Sequence, residues 1–534
     1  MILVGEQVAL PPSPVVHRRF EEHVRATPDA VAVVWSGRQV SYAVLDARAN
    51  RFAHLLIARG HGRGAKVGIC LDYSIDMIVA ILGTLKAGAA YVPFDPAYPP
   101  ARLRLLLGQV PDLALIVASP ATAAMVESAG VEVIDLDQLA DQLAALPATV
   151  PDVRTTGDDL CYAVFTSGST GTPKLAAVRH EGWFNLMNWL QLEYGLHHGS
   201  HNLVVSAFGF DLSQRALMTP LFCGATQHLM ASRNFDAMLA HRMLTEHDIR
   251  VLHCASSTLY LLVDWETARG GDALARLDFI LFGGEALKSE RLTHFARRPE
   301  TTCTLLHQYG VAECTDVATS YDLARYRPGE HDVAPVGRPA YNTSIHLLDA
   351  DLREVEAGQY GEICISGAGV GAGYLGAGGP ENAKFTTIDS AGTPLRLYRT
   401  GDRGRIDDNG ELVVAGRMDA QVKVRGMRID PVDVERALGR LTGVREAAVV
   451  AVHNDDGEAE LNAFVVPSDT ELAEDDLRTR LLRTLPRNML PSRFTNIPRI
   501  PLSPHGKVDR AALADLCRVQ GADNDSAALT GTRP

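Results

Sequence analysis

The sequence contains no C-x-x-C pair, although it has eight cysteines (Cys70, Cys161, Cys223, Cys254, Cys303, Cys314, Cys364 and Cys517). None has a histidine nearby at zinc-ligand spacing, and most sit in apolar runs, so buried free thiols are expected rather than a zinc site or a disulfide framework. Such usage fits a reducing compartment, and the cytoplasm is the expected location. Positive charge is in deficit: 51 Lys+Arg against 64 Asp+Glu leave a formal net charge of −13. That balance argues against nucleic acid or an anionic membrane as the main partner. A long hydrophobic run is missing too. The longest apolar stretch, residues 77–94, is broken by Lys86 and several glycines, and reads as a core helix followed by a strand rather than a membrane span. The opening residues carry no basic segment and soon turn proline-rich, so no signal peptide is expected.

What is present is the composition of an ordinary globular protein, 46% hydrophobic and 22% charged, over 534 residues. That length exceeds what one core serves, so two or more domains are expected. Residues 14–64 read as a helix, a hairpin turning at Ser36-Gly37-Arg38, and a second helix with Val44, Leu45, Ala49, Phe52, Leu55 and Leu56 at helical spacing. Lys66 to Leu71 reads as a buried strand, Ile75 to Lys86 as a helix closed by Gly88, and Ala90 to Pro93 as the next strand. Such alternation predicts a mostly parallel sheet covered by helices. Further strands are expected at 203–206 and 277–281, and turns and strands of a β-rich region around 335–339, 361–367 and 373–375.

The chain is organised around Thr166-Ser167-Gly168-Ser169-Thr170-Gly171-Thr172-Pro173-Lys174, entered from the apolar run Cys161-Tyr162-Ala163-Val164-Phe165. Glycines let a backbone turn tightly and aim several N–H groups at one spot, the hydroxyls add donors, and the lysine supplies a point charge. A Walker loop is excluded by spacing, because Pro173 falls where its second glycine is required and Leu175 where its hydroxyl residue is required. Taken alone, the loop is either a polyphosphate cradle or a Ser/Gly-rich surface turn. Asp211, after the strand at 203–206, is likewise either a helix N-cap or an anchor for an ammonium group.

The accompanying motifs resemble those of the adenylate-forming enzymes, which include acyl-CoA synthetases, luciferases and the adenylation domains of nonribosomal peptide synthetases. The loop at 166–174 is similar to their phosphate-binding signature. Residues 86–99, Pro335-Val336-Gly337-Arg338-Pro339 with Asn342 and Thr343, and Tyr398-Arg399-Thr400-Gly401-Asp402 match further family segments. So do residues 416–430 and Asn-Gly-Lys-Val-Asp-Arg-like His505-Gly506-Lys507-Val508-Asp509-Arg510. His307-Gln308-Tyr309-Gly310-Val311-Ala312-Glu313 resembles the family's N-x-Y-G-P-T-E, with His307, Val311 and Ala312 departing from it.

The resemblance implies an α/β fold. A large N-terminal domain (1–418) would hold mostly parallel sheets with helices plus a β-rich part, joined by a hinge to a small α+β C-terminal domain (419–520), with a disordered tail at 521–534. ATP and magnesium are the implied cofactors. Thr166, Ser167, Gly168, Ser169, Thr170, Gly171 and Lys174 would face the phosphates, Gly284, Glu285, Ala286 and Tyr309 the adenine, and Asp402 the ribose, with Arg417 also at the nucleotide. Glu313 would bind magnesium, Lys507 would bridge the substrate carboxylate and α-phosphate, and Asp419 would be the pivot.

Asp211 would hold the α-ammonium of an amino acid. The pocket wall would continue through Leu212, Arg215, His253, Leu281, Gly283, Gln308, Asp316 and Val317. Arg215 and Asp316 either pair with each other as the pocket floor or read a polar side chain; a polar amino acid is the expected substrate. The implied reaction forms aminoacyl-AMP and pyrophosphate, then transfers the aminoacyl group to the phosphopantetheine thiol of a carrier protein in natural-product biosynthesis. The absence of a G-G-x-S attachment motif near the end leads to the expectation of a free-standing enzyme with a separate carrier. An acyl- or aryl-CoA ligase of the same superfamily, or a non-catalytic nucleotide-binding scaffold, are the alternatives.

Overall fold

The computed structural model describes all residues other than 128–129, 168–172, 286, 288–291, 293–294, 300, 327–332, 377–378, 391, 420, 425–426, 455–458, 469–471, 502–507 and 518–534. They form two compact units, a large one drawn from residues between Met1 and Met418 and a small one consisting mainly of residues from Asp419 onward. All eight cysteines are free, and all but Cys517 are buried. Among the described residues no helix is long and apolar enough to cross a membrane.

Strand–helix alternation in the large unit builds two sheets, counted over the described residues. The nine-stranded sheet has a parallel centre. Its strands run Thr304–Tyr309, Phe279–Gly283, Val251–Ala255, His201–Val204, Thr226–Leu229 and Val31–Trp35 in spatial order, with Thr319–Asp322, Arg338–Pro339 and Arg38–Ser41 antiparallel at its edges. The seven-stranded sheet has Leu160–Thr166, Ala90–Pro93, Lys66–Cys70, Leu113–Ala118 and Glu132–Ile134 parallel, then Lys174–Arg179 and Gly373–Leu375 antiparallel. A six-stranded antiparallel sheet, Ile2–Val4, Thr343–Leu348, Gly361–Gly367, Thr393–Ile406, Phe385–Ser390 and Leu412–Arg417, is the β-rich part.

The helix Ile75–Lys86 shows how local chemistry and packing agree. Ser74 Oγ caps it by accepting from the Met77 N–H at 3.2 Å, Asp76 lies in the positive first turn, and Gly88 turns the chain away at φ +76°. Every residue of the helix except Asp76 is buried, which is why the rest of its sequence is apolar on nearly all sides. Lys86 is accommodated because its ammonium meets Glu21, and Asp46 at 2.8 Å.

The small unit packs the helices Pro431–Gly439 and Glu474–Leu481 against Val444–His453, Ala459–Pro467 and Arg493–Asn496, beside a short hairpin of Val422–Val424 and Met427–Ile429. Ile429, Val434, Leu438, Val449, Leu461, Val465, Leu477 and Leu481 form its core. Asp430 Oδ1 caps the first helix through the Val432 N–H at 3.1 Å. The α/β class, with a large N-terminal and a small α+β C-terminal part, is the observed one. The tail expected at 521–534 lies outside the described residues.

Three expected elements are displaced. The strand read at 277–281 is Phe279–Gly283, because Gly283 belongs to the ladder: a Cβ there would strike the Gln308 carbonyl oxygen. The strand read at 203–206 is His201–Val204. Gly373–Leu375, read with the β-rich part, pairs instead with Lys174–Arg179, Tyr374 opposite Ala176.

Candidate functional site

Leu160–Thr166 and Lys174–Arg179 form an antiparallel hairpin with Thr166 opposite Lys174. Lys174 therefore opens the second strand rather than ending the loop. Ser167 follows the first strand directly, while Gly168, Ser169, Thr170 and Gly171 lie outside the described residues. Lys174 is buried, with Nζ 5.4 Å from the centre of the Tyr374 ring. Beside it, Glu313 sits buried in the one-turn helix Ala312–Cys314. Its Oε1 accepts from the Tyr374 hydroxyl at 2.6 Å and from Thr166 Oγ1 at 3.5 Å. The Tyr374 and Tyr398 hydroxyls are 3.0 Å apart. Burial, and then the Glu313 carboxylate, hold the Tyr374 phenol far above its usual range, so it stays a donor.

Sequence reasoning missed Tyr374 and Tyr398 as members of this cluster. The signal available was the Gly373-Tyr374-Leu375 match itself, but which sheet that segment joins is set by long-range pairing.

A second cluster joins residues read separately. Tyr309, at the C-terminal end of its strand, donates its hydroxyl to Asp402 Oδ2 at 2.7 Å, and Arg417 Nη1 donates to Asp402 Oδ1 at 2.6 Å. Asp402 and Arg417 are register partners on adjacent antiparallel strands, so the sheet itself sets the ion pair. Burial, then Asp402, raises the Tyr309 phenol well above its usual range. A carboxylate offers about four lone-pair sites, so Asp402 keeps acceptor capacity beyond these two donors. Nearby in sequence, Gly284 takes φ +95°, the Glu285 carbonyl lies 3.4 Å from His307 Nε2, and Ala286 is outside the described residues.

The third cluster surrounds Arg215. The helix Asp211–Cys223 begins at Asp211 with Phe210 as its N-cap residue. Asp211 is therefore not the cap that the helical pattern allowed; its Oδ1 accepts from the Leu212 N–H at 2.8 Å. The helix starts earlier than read because Ser213 and Gln214 fold the preceding loop back onto the first turn, both donating to the Phe208 and Phe210 carbonyls. Arg215 is one turn beyond Asp211 and so on the same helix face. Its Nε donates to Asp316 Oδ2 at 2.6 Å and its Nη1 to Gln308 Oε1. Arg215 and Asp316 thus pair, one of the two arrangements expected.

Asp316 and Thr315 hold φ values of 69° and 62°, a left-handed backbone that costs non-glycine residues about 1–2 kcal/mol each. Thr315 Oγ1 donates to the Gly369 carbonyl at 2.6 Å and anchors the turn. His253 and Leu281 lie fully buried on neighbouring strands, with Val317 buried after the turn. Leu212 is half-buried. Burial, then Arg215, pushes the His253 imidazole well below its ordinary range, so it is neutral.

Gly310 makes this turn tolerable, since a Cβ there would overlap the Asp316 carbonyl. Gly310→Ala is expected to destabilise the large unit by about 1–3 kcal/mol through forced backbone displacement, read as a lower thermal unfolding midpoint; an unchanged midpoint would show that the turn gives way freely.

Asp419 begins the long C-terminal segment of the small unit, and its Oδ1 accepts from the Gln421 N–H at 3.2 Å. Lys507 lies outside the described residues. Among the described residues no group of three or more His, Cys, Asp or Glu could hold a metal. The donor set at Glu313 is one carboxylate with the Tyr374 and Thr166 hydroxyls beside it. This fits magnesium, which binds through one or two carboxylates together with substrate phosphates and keeps several waters.

The sequence model described as "AMP-binding enzyme" matches residues 20–375, and "AMP-binding enzyme C-terminal domain" matches residues 433–507. The chain belongs to the AMP-binding enzyme family. Within it, this member is similar to the dimodular nonribosomal peptide synthase of Bacillus subtilis (strain 168), 33% identical over 537 residues, covering 98% of this chain and 22% of that protein. It is 32% identical over 515 residues to bacitracin synthase 3 of Bacillus licheniformis, covering 96% of this chain and 8% of that protein. The chain thus spans less than a quarter of the length of these relatives. Among solved structures, holo-PA1221 is an NRPS protein containing adenylation and PCP domains bound to a vinylsulfonamide inhibitor. It aligns with a TM-score of 0.79 at 28% identity, over 94% of this chain and 84% of that one.

Proposed function

We infer that this family member is an AMP-forming ligase that activates an amino acid with ATP and passes the aminoacyl group to the phosphopantetheine thiol of a carrier protein. The observation that carries the reading is that Asp211 opens the helix whose next turn presents Arg215 to the buried Asp316 and Gln308. A carboxylate above a polar, enclosed floor suits the ammonium of an amino acid, because a desolvated ammonium requires a paired anion. The dimodular peptide synthase among its relatives and the adenylation–PCP structure point the same way.

In this reading the substrate carboxylate attacks the α-phosphorus, forming aminoacyl-AMP and releasing pyrophosphate; the carrier thiolate then displaces AMP. A carboxylate is a weak nucleophile and the triphosphate is strongly anionic, so the protein acts by positioning and charge neutralisation. Asp402, oriented by Tyr309 and Arg417, would accept from the ribose hydroxyls. Thr166, Ser167 and Lys174 would meet the phosphates, and Lys507 the reacting oxygens. Magnesium, held by Glu313, would neutralise charge on the phosphates.

Exchange of labelled pyrophosphate into ATP tests the proposal. It is expected to depend on an amino acid and to be absent with the matching des-amino acid. Equal exchange with the des-amino compound would favour a CoA ligase, and ATP binding without exchange by any acid would favour a scaffold.

A further inference from the structure

The floor beneath Asp211 already has its charges balanced. Arg215 is paired with Asp316, and its Nη1 donates to a neutral group, Gln308 Oε1. What is left unmatched there is polar but uncharged. Both ring nitrogens of the fully buried His253 and the amide Nε2 of Gln308 have no hydrogen-bond partner among the described residues. Buried polar atoms in that condition are rare, and each needs an explanation. Neutral imidazole has one N–H donor and one acceptor nitrogen, and the Gln308 amide adds N–H donors.

The strands put these groups on one face of the sheet. His253 is opposite Leu281, Leu281 is opposite Leu306, and Gln308 is two residues beyond Leu306. The bond from Arg215 to Gln308 shows that the helix carrying Asp211 covers that face.

The geometry points to an amino acid whose side chain ends in a neutral group that both donates and accepts hydrogen bonds, a carboxamide or ureido group, as the substrate of this pocket. The assignment rests on the amino-acid reading above. With the α-ammonium on Asp211, a side-chain carboxylate would put a second anion beside Arg215, and an amine would put a second cation beside it. Either leaves a net buried charge without a partner. An apolar side chain would leave His253 and Gln308 unmatched, and a hydroxyl has only one oxygen to serve both. An amide group supplies a carbonyl for the N–H donors and an N–H for the acceptor nitrogen of His253.

Amino-acid-dependent pyrophosphate exchange by the full chain decides it, with asparagine, glutamine and citrulline set against aspartate, glutamate, lysine, arginine, serine, leucine and phenylalanine. One of the first three is expected to exceed each of the seven others in kcat/KM by at least about 100-fold, since a site built to hydrogen-bond can reject a ligand lacking the group by about 10⁴-fold or more. His253→Leu is expected to cut that preference about 10-fold or more, mostly through the amino-acid KM with the ATP KM unmoved, and His253→Gln to keep more of it. A preference for a charged, hydroxyl or apolar side chain, or an undiminished preference in folded His253→Leu, overturns the assignment while leaving amino-acid activation standing. Exchange with none of the panel overturns both.

Discussion

Glu313→Gln is expected to lower amino-acid-dependent pyrophosphate exchange by roughly 100- to 1,000-fold, the usual effect of removing one preorganised electrostatic group from a reacting centre. The substitution isolates charge. Glutamine has nearly the same shape and retains a side-chain oxygen to accept the Tyr374 hydroxyl, now at 2.6 Å from Glu313 Oε1. The unfolding midpoint should therefore change little, since a neutral acceptor replaces a charged one in the same place. Tyr374→Phe is the complementary control, because it leaves the carboxylate in place and removes only the hydroxyl that orients it. If Glu313 serves only to hold Tyr374, Glu313→Gln keeps the acceptor and should lose no more activity than Tyr374→Phe. If it neutralises phosphate charge through magnesium, Glu313→Gln should be much the worse, and raising magnesium should not restore it.

Arg215→Leu is expected to give the largest loss of stability, about 3–5 kcal/mol, because it leaves the Asp316 carboxylate buried without its partner. Asp316 cannot easily swing to water: its φ of 69° is set by a turn that Gly310 and Thr315 hold in place. A drop of several degrees in the unfolding midpoint of the large unit is the readout. The double variant Arg215→Leu/Asp316→Asn removes both charges, and asparagine tolerates the left-handed backbone. It is expected to be more stable than the single variant. If Arg215→Leu alone costs under about 1 kcal/mol, in the range of an exposed pair, the floor of this pocket is not dry and its charge balance loses its force.

These two cases show what the sequence discloses and what it withholds. Glu313, Tyr309, Asp402 and Asp211 can be singled out as candidates because each is a chemically distinctive residue inside a local motif. Their partners were not. Tyr309 bonds to Asp402, 93 positions away, and Glu313 is oriented by Tyr374, 61 positions away. Both contacts depend on which strands pair, and local periodicity carries no such information. The strand carrying Tyr374 was read as part of the β-rich region, and its antiparallel pairing beside Lys174 is a tertiary choice. The pairing of Arg215 with Asp316 could be named as one alternative, since the two are oppositely charged residues of the expected pocket wall, but the sequence had no means of preferring it. Helix and strand starts slipped by one or two residues where side chains, rather than propensity, decide them. Ser213 and Gln214 advance the start of one helix, and the close approach of Gly283 to Gln308 carries a strand two residues past its expected end.

The claim beneath all of this is that an amino acid's carboxylate oxygen becomes bonded to the α-phosphorus of ATP. It is tested most directly by supplying the preferred amino acid labelled with oxygen-18 in its carboxylate, with ATP and hydroxylamine as the acyl acceptor, and weighing the nucleotide released. The expected product is AMP carrying one oxygen-18 atom together with unlabelled pyrophosphate. Unlabelled AMP, or label in orthophosphate beside ADP, would contradict it.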